Sequence, residues 1–163
     1  MLAGVKILDL TSVILGTYAT QLLGDLGADV VKVEQPGKGG GDIMRWGGKS
    51  PEGGAPGMGP LYMAYNRNKR SIALDLKKDE DLATLKALAA RADMFASNIR
   101  MDSLERLGLG SEAPKAVKED INYVPAAGFA ADGPYACLAA HGDLPPGAAR
   151  LASRPRLTAR AAR

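Results

Sequence analysis

Val5-Lys-Ile-Leu-Asp-Leu10, Thr17-Tyr-Ala-Thr-Gln-Leu-Leu-Gly-Asp-Leu26 and Asp29-Val-Val-Lys-Val-Glu34 follow one another near the start of the chain, and their spacing decides the fold. The first is a short apolar run with β-branched members, and Thr11-Ser12 behind it stops a strand and caps the next helix. The second sets Ala19, Leu22, Leu23 and Leu26 at helical spacing, which predicts them as the face turned to the core. Gly27 then stands where a helix C-terminus wants a left-handed residue. The third is a second strand, closed by Pro36-Gly37. Strand, helix and strand in this order make a βαβ unit, which implies a parallel sheet with helices on it.

Working outward, residues 37–60 contain ten of the twenty glycines with Pro51, Pro56 and Pro60, a composition that predicts a long loop. Leu61-Tyr-Met-Ala-Tyr65 restores order. Asn66-Arg-Asn-Lys-Arg70 leads to a strand over Ser71-Ile-Ala-Leu-Asp-Leu76 and a helix from Asp79 to Ala92. Acids in the first turn of that helix suit its dipole, and Leu82, Leu85, Leu88 and Ala89 share one face. A strand at Met94-Phe-Ala-Ser97, short helices at Ser103–Leu107 and Ser111–Val117, and a strand at Asn122-Tyr-Val124 complete the pattern. The fold class is α/β, a Rossmann-like doubly wound and mostly parallel sheet with an irregular C-terminal tail.

The composition is 46% hydrophobic and 24% charged, which supports a core and excludes a disordered chain. One cysteine, Cys137, excludes a disulfide framework or a cysteine-only metal cluster. No apolar run is long enough for a membrane span and the N-terminus lacks a signal-peptide layout, so a cytoplasmic setting is expected. The net charge of +3 is not evidence for nucleic acid. Residues 1–143 carry all 18 acids against 16 of the 21 bases, and the excess comes from Arg150, Arg154, Arg156, Arg160 and Arg163. Residues 144–163 contain six Ala, five Arg and three Pro without periodicity, which reads as a basic tail or as out-of-frame translation of a GC-rich gene.

A dinucleotide site needs G-x-G-x-x-G between the first strand and its helix, but Thr11-Ser-Val-Ile-Leu-Gly16 has a single glycine. Glu34 does stand where a ribose-binding acid would. Gly47-Gly-Lys-Ser50 imitates the end of a P-loop, but Ile43 occupies the place of its first glycine and no strand precedes it. The cations Arg67, Lys69 and Arg70 ahead of a strand read equally as a solvated loop or as holders of an anionic nucleotide. Asn98 and Arg106 flank the end of the fourth strand. His141, the only histidine, is a candidate general base or a surface residue.

Several ordered blocks carry a resemblance. They are Gly4-Val-Lys-Ile-Leu-Asp-Leu-Thr11, Ala19 to Glu34, and Asn66-Arg-Asn-Lys-Arg-Ser-Ile-Ala-Leu-Asp-Leu-Lys77, followed by Ala92-Asp93 and Asn98. Leu104-Glu-Arg-Leu-Gly-Leu-Gly110 and Gly128-Phe-Ala-Ala-Asp-Gly-Pro-Tyr-Ala136 continue the series. Together they resemble the CaiB/BaiF family, the class III coenzyme A transferases, over residues 2–136. The resemblance implies that residues 1–136 are an incomplete N-terminal part of a large nucleotide-binding domain, with 137–163 an irregular tail.

The resemblance also implies the site. Gln35 stands near the adenine, where the family often has a cation or proline. Leu74 and Lys77 flank the nucleotide, with Lys77 facing a phosphate. Asn98 lies beside the CoA, Ile99 replaces a usual Phe, and Arg106 faces a phosphate. Ile14 and Leu15 occupy positions near the thioester end, where relatives of formyl-CoA transferase carry Gln-Ala, which argues against oxalate or formate as the acid. The implied substrates are an acyl-CoA and a carboxylic acid, with coenzyme A as a substrate rather than a permanently bound cofactor. No metal, nucleic acid or membrane is implied, and full-length members are homodimers. The implied mechanism moves CoA through an aspartyl anhydride. Its aspartate lies about thirty residues beyond the Gly-Pro block, so this chain is expected to lack it and to be inactive alone. In the α-methylacyl-CoA racemase branch a histidine near the position of His141 pairs with that same aspartate, each exchanging the proton α to the thioester carbonyl. A non-catalytic or degenerate CoA-binding fragment is the further alternative.

Overall fold

The computed structural model describes residues 1–48, 55–110, 112–129 and 133–134. Chain contacts form two units. The first is Met1–Ile99 with Ser103–Ala126, and it contains the whole sheet. The second joins Arg100–Asp102 to residues from Ala127 onward, most of which lie outside the described residues. Cys137, His141 and the expected tail over 137–163 lie outside them too.

Among the described residues five strands form one sheet: β1 Lys6–Leu10, β2 Asp29–Glu34, β3 Lys69–Ala73, β4 Met94–Ser97 and β5 Asn122–Pro125. Their order is β3-β2-β1-β4-β5 and every pairing is parallel. Parallel neighbours require crossovers. These are α1 (Leu15–Asp25), α2 (Pro60–Tyr65), α3 (Asp79–Ala89), α4 (Met101–Arg106) and α5 (Glu112–Val117). The order reverses between β1 and β4, which opens a crevice beyond their C-terminal ends in doubly wound sheets.

Pairing in register puts Ile7, Asp9, Val30, Lys32, Glu34, Lys69 and Ser71 on one face of the sheet. At one end of this face Ile7, Ala28 and Val30 make an apolar cluster with Leu2, Val5, Leu23 and Met94. The other end is polar and buried. The Lys69 side chain is 2% exposed, and its ammonium reaches Asp9 at 3.1 Å, the Thr17 carbonyl at 2.8 Å, the Thr20 hydroxyl at 2.9 Å and the Asn66 side-chain oxygen at 3.1 Å. Burial holds its pKa below the usual lysine value, although Asp9 acts in the opposite direction.

That polar face overturns the expected orientation of α1. Its buried residues are Gly16, Thr17, Thr20, Gln21 and Gly24, whereas Ala19 is exposed and Leu22 and Leu26 are each 43% exposed. Only Leu23, half-buried, joins the core from the expected face. A helix lying over Asp9 and Lys69 must present small and hydrogen-bonding groups. Thr20 accordingly donates to Asp9 at 2.7 Å, and a Cβ on Gly24 would stand 3.3 Å from the Asn68 carbonyl. Gly27 is left-handed at φ 101°, as its position requires.

β3 starts two residues earlier than the sequence suggests, because Lys69 and Arg70 belong to the strand. The solvated reading holds for Arg67 and Arg70, whose side chains are 56% and 70% exposed, but not for the buried Lys69. Arg67 pairs with Asp25 at 2.7 Å, Arg70 with Asp29 at 2.7 Å, and Lys69 with Asp9, so the three cations are occupied by internal carboxylates. On α3, Leu85 and Ala89 are buried and Leu82 and Leu88 half-buried, as the helical spacing predicts. On the opposite face of the sheet Phe95 stacks on Tyr123 with ring centroids 5.6 Å apart. No described helix is long and apolar enough to cross a membrane.

Candidate functional site

The segments leaving the sheet's C-terminal edge enclose a crevice of about 360 Å³. Its walls include Thr11 and Ser12 after β1, Gln35 after β2, Leu74 to Lys77 after β3, and Ile99 after β4. The glycine-rich loop adds Gly41 and Asp42. Four of the residues implied by resemblance therefore meet here: Gln35 and Lys77, both exposed, Leu74, buried at 5%, and the half-buried Ile99.

Local chemistry fixes each of them. The Leu74 N–H donates to the Glu34 carbonyl at 2.9 Å, which extends the β2–β3 ladder one residue past the strand. Asp75 then makes a turn: its carboxylate accepts the Lys77 N–H at 3.2 Å and its carbonyl the Lys78 N–H at 2.8 Å. Asp81 on α3 accepts the Asp75 N–H at 2.8 Å and fixes that turn. The backbone of Lys77 is thus held while its ammonium reaches solvent.

Asn98 closes the switch point rather than lining the crevice. Its amide accepts the Ser12 N–H at 2.9 Å and donates to the Ser12 carbonyl at 2.8 Å, joining the loops that follow β1 and β4. Ile14 and Leu15, 43% and 70% exposed, lie just beyond that tie at the start of α1 and are not wall residues. Arg106 ends α4 with its side chain exposed, and its neighbour Leu107 is a wall residue.

Glu34 does not offer a carboxylate to a ribose. Arg45 Nε and Nη2 grip it at 2.9 and 2.5 Å, the Ser71 hydroxyl donates at 2.5 Å, the Asp42 N–H at 2.8 Å and the Tyr62 hydroxyl at 3.3 Å. Burial alone raises its pKa, but these donors prevail and hold it at about 2. The Arg45 guanidinium also lies 3.8 Å from the Tyr62 ring centroid. Burial and the neighbouring Glu34 charge push the Tyr62 hydroxyl up to about 12. Two buried charges escape the sequence reading altogether, Lys32 and Asp42, paired at 3.0 Å with 1% and 0% of their side chains exposed. A signal for Lys32 is present: it alternates with Val30 and Glu34 on one face of a strand that reads as buried.

A family profile describing CoA-transferase family III matches residues 2–149. The chain belongs to that family. Succinyl-CoA:glutarate CoA-transferase of Homo sapiens is 42% identical over 136 residues, covering 82% of this chain and 29% of that protein. Succinate–glutarate CoA-transferase of Agrobacterium fabrum is 38% identical over 142 residues, covering 86% and 35%. Among solved structures, a CaiB/BaiF family protein from Brucella suis superposes with a TM-score of 0.80 at 34% identity, over 89% of this chain and 38% of that one. The chain spans about a third of the length of these relatives. Ligands of doubly wound sheets lie at the switch point, where this crevice opens.

Proposed function

We propose that residues 1–136 form the nucleotide-binding part of a CoA-transferase, which moves CoA between an acyl-CoA thioester and a carboxylic acid. The crevice at the C-terminal edge supports this reading most directly, because Gln35, Leu74, Lys77 and Ile99 converge there from segments after three different strands. Leu74 and Ile99 supply apolar walls to a nucleotide base, and Gln35 a neutral hydrogen-bonding edge. Lys77 and Arg106 face phosphate oxygens, Asn98 fixes the loops beside them, and Ile14 and Leu15 stand at the thioester end. The names of the relatives favour dicarboxylic acids as the acyl and acceptor groups.

In this reading CoA leaves the thioester for an aspartyl anhydride and returns through an aspartyl-CoA thioester to the acceptor acid. Neither Glu34 nor Asp42 receives the nucleophile's role here. Glu34 is consumed by Arg45 and Asp42 by Lys32, and a carboxylate bound by its counter-ion is a poor nucleophile.

Calorimetric titration of CoA into the chain and into its Lys77→Ala and Arg106→Ala variants tests the assignment. A charge-assisted hydrogen bond to phosphate contributes roughly 1.5–3 kcal/mol, so each loss weakens binding by about ten- to a hundredfold. Variants that bind as tightly as the parent place the nucleotide elsewhere.

A further inference from the structure

The turn from β1 to α1 is held in a backbone state that its own residues disfavour. Val13 lies at φ 70°, in the left-handed region, where a β-branched residue persists only when its surroundings enforce it. Those surroundings combine neighbouring residues with side chains from distant parts of the chain. Asp9 accepts the Thr11 N–H at 2.9 Å, Lys32 donates to the Thr11 carbonyl at 2.7 Å, and Asn98 brackets Ser12. The Thr17 hydroxyl donates to the Val13 carbonyl at 2.7 Å. Gly16 presses on the Thr11 side chain so closely that a Cβ would overlap it.

The remaining group, the Val13 N–H, goes to Asp42. Both carboxylate oxygens stand 3.2 Å from that nitrogen, although Asp42 is 29 residues away in the glycine-rich loop. The same carboxylate accepts the Met44 N–H at 3.0 Å and the Lys32 ammonium at 3.0 Å. Three donors converge on one buried side chain. A carboxylate has two acceptor oxygens and no donor, whereas an amide would turn an NH₂ toward one of them. A buried ion pair is on average no more stabilising than an apolar pair of equal volume. The geometry it imposes on the turn is then the better reason for this one.

We propose that Asp42 is a positioning residue: by holding the Val13 N–H it keeps the strained turn in place, so that the glycine-rich loop and the turn presenting Ile14 and Leu15 are set as one piece against the crevice. What the turn presents to a ligand rests on the proposed CoA site. That Asp42 holds it does not.

The test uses the 163-residue chain with Lys32→Met/Asp42→Ala, which leaves no buried charge unpaired, alone and combined with Val13→Gly. It is compared with Lys32→Met/Asp42→Asn, which shares the loss of the Lys32 bond to Thr11 and keeps an acceptor oxygen at position 42. Amide exchange by NMR reports the turn, and calorimetry with CoA and with succinyl-CoA reports what it presents. Loss of Asp42 is expected to speed exchange of the Val13 amide by about tenfold or more while amides of β1 and β4 keep their protection. It is also expected to change the ratio of succinyl-CoA to CoA affinity by about threefold, roughly 0.65 kcal/mol by that conversion. In the Val13→Gly background the change in ratio is smaller, because glycine adopts positive φ unaided. A merely structural role would weaken both ligands equally, and glycine would rescue nothing. Unchanged Val13 exchange, or an equal effect in both backgrounds, overturns the proposal. If the parent binds neither ligand, the CoA reading fails, and Val13 exchange still decides the role of Asp42. Should the double variant not fold, Asp42→Asn keeps the volume with one acceptor oxygen and carries the same measurements.

Discussion

Substituting Glu34 by Gln while lowering the pH isolates the brace that holds the glycine-rich loop to the sheet. The Glu34 carboxyl lies at about 2 in the fold against an ordinary 4.5, because Arg45, Ser71 and the Asp42 N–H outweigh the opposing effect of burial. A depressed carboxyl pKa contributes stability that is complete above the unfolded value and is lost as pH falls through the folded one. The contribution is therefore whole above about pH 4.5 and disappears toward pH 2. At 1.36 kcal/mol per pH unit the ceiling is about 3 kcal/mol. Solvent reaches Arg45, whose side chain is 22% exposed, and screening brings the expectation to about 1–2 kcal/mol. For a chain of this size that is a difference of about 4 °C in Tm. Thermal melts followed by circular dichroism at pH 6, 5, 4 and 3 measure it. The parent is expected to be the more stable at pH 6, and its advantage over Glu34→Gln to shrink as pH falls. Other carboxylates titrate in both chains and cancel in the difference. Parallel curves would refute the reasoning.

Two further outcomes concern the buried face and the outer side of α1. Lys69→Met leaves Asp9 buried at 0% exposure without its counter-ion, and is expected to cost about 3–5 kcal/mol in urea unfolding. A loss below 1 kcal/mol would show that water or another cation reaches Asp9. Leu22→Gln/Leu26→Gln, on the outward face of α1, is expected to leave the urea midpoint of the isolated chain within about 0.5 kcal/mol per site. A large loss would mean that this face is covered in solution.

The parts of the fold legible in the sequence are those set by short-range rules. β2 and β4 fall on the expected residues, and Gly27 ends its helix in the expected left-handed conformation, because strand propensity and the steric freedom of glycine act within a few residues. Helical spacing misassigns the α1 face because it identifies an apolar stripe, not what that stripe meets. Here the sheet presents Asp9 and Lys69, and the leucines turn outward. The start of β3 is hidden for the same reason. Lys69 is buried only because Asp9 awaits it 60 residues away in the chain. In the crevice, Gln35, Leu74, Lys77 and Ile99 are legible through resemblance, each falling just after a strand. Lys32 and Asp42 are not, because their pairing spans a glycine-rich loop that composition describes only as unstructured.

The central claim is that the crevice at the sheet's C-terminal edge holds the nucleotide of CoA. Titrating unlabelled CoA into the ¹⁵N-labelled chain, at low salt and again at high salt, tests it most directly. The account predicts amide shifts clustered at Thr11–Leu15, Gln35, Leu74–Lys77, Asn98–Ile99 and Arg106, with weaker binding at high salt as phosphate contacts are screened. Saturable shifts clustered on the opposite edge of the sheet, with those crevice amides unmoved, would contradict it.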